Sequence, residues 1–255
     1  MRAFRHITGP FLALGVYLAL ASATPLWRAA LGALFPDETR ILYPDVTPLG
    51  LVGQHLELVA LSSAISIVAG LALGIFVTRP AGADFRDTVT DLSNIGQTFP
   101  PVAVFTLAVP LLGFGVQPTV VALALYGVLP ILRNTITGLA GVPATVLESA
   151  TGMGMRPAER LTRVELPLAA PVIVAGIRIS VIVNVATATI GAIAGAGGFG
   201  APIINGLVNL APAVTLEGAL LAAGLALVLD ALLGGIERTF ARGRQSEDAS
   251  LTRSR

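Results

Sequence analysis

Long apolar segments alternate with short polar ones along the whole chain, and this alternation predicts the fold. A helix needs about 20 mostly apolar residues to cross the hydrocarbon core of a bilayer. Six segments meet that length, at residues 7–27, 51–77, 92–113, 117–139, 168–193 and 213–236. Because an isolated strand would leave its backbone hydrogen-bonding groups unsatisfied in lipid, we interpret each segment as a helix. The pattern predicts an all-α, polytopic protein with about six transmembrane helices in the lipid bilayer.

The composition indicates a membrane protein and argues against metal-binding and catalytic sites. Hydrophobic residues make up 54% of the 255 positions and charged residues only 12%, whereas soluble domains carry about 25% charged residues. The chain has no cysteine and only two histidines, His6 and His55. Disulfides and thiolate metal sites are therefore excluded, and we predict no metal site. The carboxylates are scattered over different loops, so we predict no catalytic residue, and a net charge of +1 gives no basic field for nucleic acid.

The basic residues predict the orientation. All sixteen are arginine, and basic residues are enriched on the cytoplasmic side of membrane proteins. With the N-terminus inside, the arginines on or near the cytoplasmic face are Arg2, Arg5, Arg79, Arg86, Arg133, Arg156, Arg160, Arg163, Arg238, Arg242 and Arg244. Only Arg28 and Arg40 then lie outside. We therefore expect a multi-pass protein with both termini in the cytoplasm.

The first apolar segment has a second interpretation. Arg2, Arg5, the apolar run and Ala21-Ser22-Ala23 together imitate a secretory signal peptide with its cleavage site. An uncleaved first helix fits the six-helix count and the charge pattern better. The regions that we predict are residues 1–50, with the first helix and an external loop, residues 51–240 as the core, and residues 241–255 as a disordered cytoplasmic tail.

Residues 148–167 form a polar, arginine-rich insert between two apolar segments. The insert resembles the cytoplasmic coupling loop of permease subunits of binding-protein-dependent ABC importers, whose pattern is Glu-Ala-Ala, then Gly after three residues, then a late Leu-Pro. The matching residues are Glu148, Ala150, Gly152, Leu166 and Pro167, with Ser149 in place of the central Ala. The resemblance implies that the 141–167 loop docks on an ATPase. The contacts it implies are made by Glu148, Ser149, Ala150, Gly152, Met153, Met155 and Arg156.

An ordinary cytoplasmic loop, whose arginines only hold the topology, is the alternative interpretation of this insert. The local sequence also predicts its shape. Pro143 can open a short helix in its first turn, Gly152 can end that helix in a left-handed conformation, and Pro157 can open a second short helix. We expect two short helical pieces that project from the membrane. Their exposed apolar side chains would be Met153, Met155 and Leu161.

Six further segments resemble the permeases of osmoprotectant importers, which carry glycine betaine, choline, carnitine and related quaternary amines. These segments are residues 97–101, 125–135, 153–155, 164–168, 175–178 and 195–200. The resemblance covers about residues 51–237 and implies a methionine-importer-like permease fold in the bacterial plasma (inner) membrane. It also implies partners: two ATPase subunits, a second permease subunit that is either a copy of this chain or a relative, and a separate extracytoplasmic solute-binding protein.

The same resemblance places ATP and Mg²⁺ on the ATPase subunit, so this chain would be a transport subunit without a cofactor of its own. The sequence agrees, because a phosphate-binding Walker loop needs a lysine and the chain has none. Selectivity for the cargo would belong to the binding protein. A quaternary ammonium ion is best held by several aromatic rings, and aromatic residues are only 5% of this chain.

Two other functions stay open at this stage. One keeps the importer and changes the cargo to methionine or to another betaine such as ergothioneine. The other is a membrane scaffold or channel that needs no ATPase and uses the insert as a docking loop.

Polar residues beside a predicted helix break are the candidates for the translocation pathway. Asn94, Gln97, Thr98 and Phe99 precede Pro100-Pro101, where a helix cannot continue normally. The alternative is that the polar side chains hydrogen-bond neighbouring helices, as is common in membranes.

Arg178 lies well inside the fifth apolar segment, where a charge normally needs a partner or an aqueous cavity. Asp230 of the sixth segment lies at a similar predicted depth, so we predict a structural ion pair between the two.

Glycines cluster after the fifth apolar segment, at Gly195, Gly197, Gly198 and Gly200. We predict an external loop that closes against the pathway as a gate. The spacing also matches a dinucleotide fingerprint, but that motif works only between a strand and a helix.

Overall fold

The computed structural model describes the backbone of residues 5–253 and the side chains of residues 8–239 apart from that of Gln97. Over this part of the chain the regular structure is helical. The α-helices are α1 (Arg5–Ser22), α2 (Thr24–Leu34), α3 (Pro48–Val77), α4 (Arg86–Thr98), α5 (Pro101–Leu112), α6 (Val116–Ala140), α7 (Ala144–Gly152), α8 (Pro157–Arg160), α9 (Leu166–Ala188), α10 (Gly200–Val208) and α11 (Pro212–Arg253). Shorter turns are the 3₁₀ segments Ala83–Phe85 and Ile190–Ala194 and the π-helical segment Leu161–Glu165.

Among the described residues, four helical stretches are long and apolar enough to cross a membrane singly. They are Pro48–Val77, Val116–Ala140, Pro157–Ala188 and Pro212–Thr239. Two further spans form if each of two bent helix pairs counts as one, which gives up to six. The predicted all-α fold with about six transmembrane helices is confirmed. The backbone of α11 continues through residues 241–253, where a disordered tail was predicted, and the side chains of these residues lie outside the described part.

The first bent pair corrects the prediction of a single helix over residues 7–27. The axes of α1 and α2 differ by 73°. Pro25 lies in the first turn of α2 and has no amide hydrogen to continue the ladder of α1. At the bend, the carbonyl of Leu20 accepts hydrogen bonds from the amide of Ala23, at 3.1 Å, and from the indole of Trp27, at 2.9 Å.

The second bent pair replaces the single helix expected over residues 92–113. The helix that ends near Gly96 and the one that begins at Pro101 differ in direction by 94°. The break falls at Phe99 and Pro100, which both have extended backbone conformations. The predicted interruption at the two prolines is therefore present, and it turns the chain through a right angle.

Helix α6 lies between α3 and α9 at the centre of the protein. Gly70 and Gly74 of α3 face α6, where an added Cβ would lie 2.8 Å from the Cβ of Ile131 and 2.6 Å from that of Thr135. Small residues at this spacing allow two backbones to approach closely in a membrane. The close contact fixes the position of α3 against α6.

A seam of buried polar side chains joins α9 to α3 and α6. The amide of Asn184 donates to the hydroxyls of Ser62 and Ser63 at 3.3 and 3.2 Å. The hydroxyl of Ser180 donates to the carbonyl of Gly127 at 2.8 Å. Such bonds stabilise helix association where apolar packing alone gains little over lipid.

Candidate functional site

The first helix of the 141–167 loop is α7. Pro143 is its N-cap rather than part of its first turn, and its carbonyl accepts the amides of Val146 and Leu147 at 3.0 and 3.3 Å. Ala150 is buried, whereas Glu148 and Ser149 are exposed. The helix therefore buries Ala150 and presents Glu148 and Ser149.

A glycine ends α7, but it is not the predicted one. The left-handed residue is Gly154, with φ of 81°, and Gly152 is the last residue of the helix. The amide of Met155 donates to the carbonyl of Ala150 at 3.2 Å, and the amide of Gly154 donates to the carbonyl of Thr151 at 2.9 Å. These two bonds form a Schellman motif, which requires the left-handed residue just beyond the helix.

The second half of the loop is continuous with the membrane span, which corrects the expectation of a second separate piece. Pro157 opens α8 as predicted, and the chain then passes through the π-helical turn into α9. The wide turn directly precedes Pro167, whose ring would clash with the carbonyl ladder of a regular α-helix. The π-helical turn therefore makes room for the ring of Pro167, and the helix continues.

The apolar side chains of the loop differ in exposure. Met153 is 71% exposed, Met155 is half-buried and Arg156 is exposed. Leu161 is not exposed as predicted, because it packs against the buried cluster of Leu139, Ala169 and Ile173. The outward surface of the loop is thus centred on Met153.

A buried carboxylate lies behind this surface. Glu165 is 3% exposed, and its Oε2 accepts a hydrogen bond from Arg79 at 2.5 Å while its Oε1 accepts one from Arg160 at 3.0 Å. Arg160 also donates to the hydroxyl of Thr151 at 3.0 Å. This network was not predicted from the sequence, where Arg79 and Arg160 were attributed to topology alone.

The predicted pathway residues lie at the end of α4. The side chain of Asn94 accepts a hydrogen bond from Arg133 of α6, and the hydroxyl of Thr98 donates to the carbonyl of Ile95 at 2.7 Å. Phe99 is half-exposed, and its carbonyl accepts a hydrogen bond from the hydroxyl of Tyr126. The side chain of Gln97 lies outside the described residues.

A cavity of about 640 Å³ opens beside this break. It lies between α3, α4, α5 and α6, and its walls are mainly apolar. Phe99 and Tyr126 both line it, whereas Asn94 and Thr98 do not. The two described polar side chains are thus engaged with protein groups, and the pathway role of the four residues stays a prediction.

The structure brings Arg178 and Asp230 together. Nε and Nη2 of Arg178 donate to Oδ1 and Oδ2 of Asp230 at 2.8 and 2.9 Å. Nη1 donates to Glu237 at 2.9 Å. Glu237 was not predicted as a partner, because it lies just beyond the last apolar segment, residues 213–236.

The glycine loop, residues 195–200, packs on the first turns of α3. Gly195, Gly197 and Gly198 have φ between 65° and 79°, a conformation that favours glycine. The amide of Gly198 donates to the side chain of Gln54 at 3.1 Å. Gly200 begins α10 and is buried. The loop is therefore a packed element at the end of α3 opposite to the 141–167 loop.

His55 holds this loop in place, a role that the sequence analysis missed. Its Nδ1 accepts the amide of Phe199 at 3.3 Å, and its Nε2 donates to the carbonyl of Val185 at 3.0 Å. The imidazole ring of His55 stacks on the phenyl ring of Phe199, with the ring centroids 4.3 Å apart. One fully buried side chain thus connects α3, α9 and the glycine loop.

Comparison with known proteins identifies relatives over most of the chain. The osmoprotectant import permease protein OsmY of Salmonella typhimurium is 40% identical over 225 residues, which cover 88% of this chain and 92% of that protein. The choline transport system permease protein OpuBB of Bacillus subtilis is 43% identical over 186 residues, covering 72% of this chain and 84% of that protein.

The fold has a solved counterpart, the MetNI methionine ABC transporter in inward-facing conformations. A chain of that structure matches with a TM-score of 0.67 and 26% identity, over 74% of this chain and 94% of that chain. The expected methionine-importer-like fold is confirmed. Residues 70–242 match the family described as binding-protein-dependent transport system inner membrane component. Because of this match and the similarity to the two relatives, the chain belongs to the family of inner-membrane permease components of binding-protein-dependent transport systems.

Proposed function

We propose that the chain is the permease subunit of an ATP-driven importer for osmoprotectants such as glycine betaine, choline, carnitine or related quaternary amines. The observation that carries the cargo class is the similarity to the osmoprotectant and choline permeases, which covers most of both chains. The chain is a transport component and not an enzyme. Its family works with a solute-binding protein and an ATPase.

The surface of the 141–167 loop supports coupling to the ATPase. Glu148, Ser149, Gly152 and Arg156 are exposed around the prominent side chain of Met153. Methionine can adapt to a groove that changes shape, and the Schellman motif fixes the turn that presents it. In this proposal the ATPase docks on the loop and holds both ATP and Mg²⁺.

The remaining partners fit the orientation that the arginines predict. Both termini and the 141–167 loop face the cytoplasm, and the glycine loop faces the outside, where the binding protein delivers the solute. A second permease subunit, either a copy of this chain or a relative, completes the pathway. The break at Phe99, beside the cavity of about 640 Å³, lies on that pathway.

Methionine is the second candidate cargo. The observation that favours it is the fold similarity to the methionine transporter. The identity to that structure is lower than the identity to the osmoprotectant and choline permeases, and for this reason we rank methionine second.

The test is uptake of labelled glycine betaine, choline and methionine into liposomes that contain the full chain with its ATPase and binding protein. We expect ATP-dependent uptake of at least one quaternary amine, and none when the binding protein is omitted. Uptake of methionine alone would keep the importer and overturn the cargo. Leakage that needs no ATP would instead indicate a channel.

A further inference from the structure

Glu165 is the only described carboxylate of the 141–167 loop that is buried. Each of its oxygens accepts a hydrogen bond from a different arginine, Arg79 at 2.5 Å and Arg160 at 3.0 Å. Charge-assisted bonds of this kind are stronger than neutral ones. Little water reaches the carboxylate, so the two arginines are its main counter-charges.

The two arginines belong to different parts of the protein. Arg79 lies two residues beyond the end of α3, and Arg160 ends α8. Arg160 also donates to Thr151 of α7. One carboxylate therefore fastens both halves of the loop to the end of α3.

A second ion pair of the same loop lacks this arrangement. Glu159 and Arg163 form an i,i+4 pair at 2.8 Å, and their side chains are 37% and 72% exposed. Exposed pairs within one helix contribute little and connect no other element. Glu159 is thus a matched control for Glu165, because it is a carboxylate in the same loop bonded to one arginine of its own helix.

The opposite end of α3 holds the glycine loop. Gln54 and His55 lie in its second turn and bind Gly198 and Phe199. Helix α3 has 30 residues and is about 45 Å long. The same rigid helix thus contacts the 141–167 loop at one end and the glycine loop at the other.

We propose that Glu165 is a positioning residue for energy coupling, which holds the 141–167 loop on α3 so that movement of the loop reaches the glycine loop. The inference rests on the proposed function only in that an ATPase must act on the loop. It does not depend on which solute is carried.

The charge of Glu165 carries this link. Replacement by glutamine keeps the size of the side chain and removes the charge. Arg79 and Arg160 are both partly exposed, so each can turn towards water once its counter-charge is lost. The loop and α3 would then move separately, and ATP hydrolysis would continue without driving import.

The primary measurement is the amount of solute imported per ATP hydrolysed, in liposomes with the full chain, its ATPase and its binding protein. We expect Glu165→Gln to lower this ratio by about threefold to tenfold, which lies within the wider range that coupling energies between contacting residues correspond to. Glu159→Gln should leave the ratio unchanged. The double variant Arg79→Gln, Glu165→Gln should be no worse than Glu165→Gln alone, because the two residues act through one contact.

A second measurement reports on the glycine loop and needs no solute. Ile193, in the turn just before that loop, is 58% exposed, and the chain has no cysteine. Ile193→Cys therefore gives a single reactive thiol. We expect its modification rate to change when ATP binds to the assembled complex, and this change to disappear with Glu165→Gln and persist with Glu159→Gln. If the thiol in the otherwise unaltered chain does not respond to ATP, the link to the glycine loop is overturned.

The role of Glu165 is contradicted if Glu165→Gln leaves the amount of solute imported per ATP unchanged. Import and ATP hydrolysis that fall equally also leave this ratio unchanged, and such a fall indicates a folding role only. If Glu165→Gln does not assemble, Arg79→Gln and Arg160→Gln test the same contacts and must each lower the ratio. Failure of all three to assemble, while Glu159→Gln assembles, would assign the network to folding. Absence of uptake by the unaltered complex refutes the proposed cargo instead, and the thiol measurement still tests Glu165.

Discussion

Arg178 of α9 and Asp230 of α11 are joined by two parallel hydrogen bonds, Nε to Oδ1 at 2.8 Å and Nη2 to Oδ2 at 2.9 Å. The remaining Nη1 donates to Glu237 at 2.9 Å. Asp230 and Glu237 are about two helical turns apart on α11. The planar guanidinium therefore fixes both the height and the rotation of α9 relative to α11, because a fork of donors accepts only one orientation of its partner.

Removal of Arg178 alone should lower the stability of the protein more than removal of both Arg178 and Asp230. Arg178→Ala removes the arginine to which both Asp230 and Glu237 are bonded, and we expect a lower midpoint of thermal unfolding in detergent. The double variant Arg178→Ala, Asp230→Ala should recover part of the loss, with a coupling of about 0.5–3 kcal/mol. Recovery should be incomplete, because Glu237 keeps its charge. If the loss of stability in the double variant equals the sum of the losses in Arg178→Ala and Asp230→Ala, the ion pair is contradicted.

Substitutions at Gly154 and Gly152 form a matched pair that tests whether the backbone turn of the 141–167 loop is needed for binding of the ATPase. No atom lies within 4 Å of a Cβ added at either glycine, so only the backbone distinguishes them. Alanine at Gly154 must adopt a left-handed conformation, at a cost of about 1–2 kcal/mol. We expect Gly154→Ala to reduce the fraction of ATPase that co-purifies with the chain, and Gly152→Ala to leave it unchanged.

A charge at Gly152 tests the surface instead of the backbone. Gly152→Glu places a bulky, charged group beside Met153 without any backbone strain, and we expect the ATPase to be lost during purification. Retention of the ATPase in both Gly154→Ala and Gly152→Glu would show that this face does not dock on it.

Met153 should lie in contact with the ATPase. The chain has no cysteine, so Met153→Cys introduces one thiol at a position that is 71% exposed. We expect a short thiol-reactive cross-linker to join it to the ATPase in membranes. Ala150→Cys, at a buried position of α7 just before Met153, is the negative control. Cross-linking at neither position would place the docking surface elsewhere.

His55 should be essential for the order of the glycine loop. His55→Ala removes a stacked ring and leaves the amide of Phe199 and the carbonyl of Val185 without their partner, which should cost about 2–5 kcal/mol. His55→Phe keeps a ring for stacking and should cost less. The measurement is the rate of proteolysis within residues 195–200, with Leu61→Ala, at an exposed position of α3, as the control. Equal rates in all three variants would mean that His55 does not hold the loop.

The order of the spans could be predicted from the length of the apolar segments, because lipid requires long helices. The break at Pro100-Pro101 was also predictable, since proline cannot continue the hydrogen-bond ladder. The bend after Ser22 was not predicted, although Pro25 cannot continue the ladder of α1. Apolar residues continue through the bend, and the hydrogen bond from Trp27 to the carbonyl of Leu20 leaves no local pattern in the sequence.

The candidate site was predictable only where a residue looked out of place. Arg178 could be paired with Asp230 because both are charges within apolar segments. Glu165 looked like one more charge in a polar loop, and its partner Arg79 is 86 positions away along the chain. His55 bonds to a carbonyl 130 positions away. Contacts this distant come from the packing of helices, and no local pattern in the sequence records them.

The length of α3 has a consequence for the membrane around it. At about 45 Å, the helix is longer than the hydrocarbon core of about 30 Å that it crosses, so it must tilt or extend beyond the core. Both of its ends are fastened, at His55 to the glycine loop and through Arg79 to Glu165. A change in tilt therefore moves both attachments together. A thicker or thinner bilayer changes the tilt that such a helix prefers. The length of the lipid chains thus acts on the same helix that is attached to the 141–167 loop.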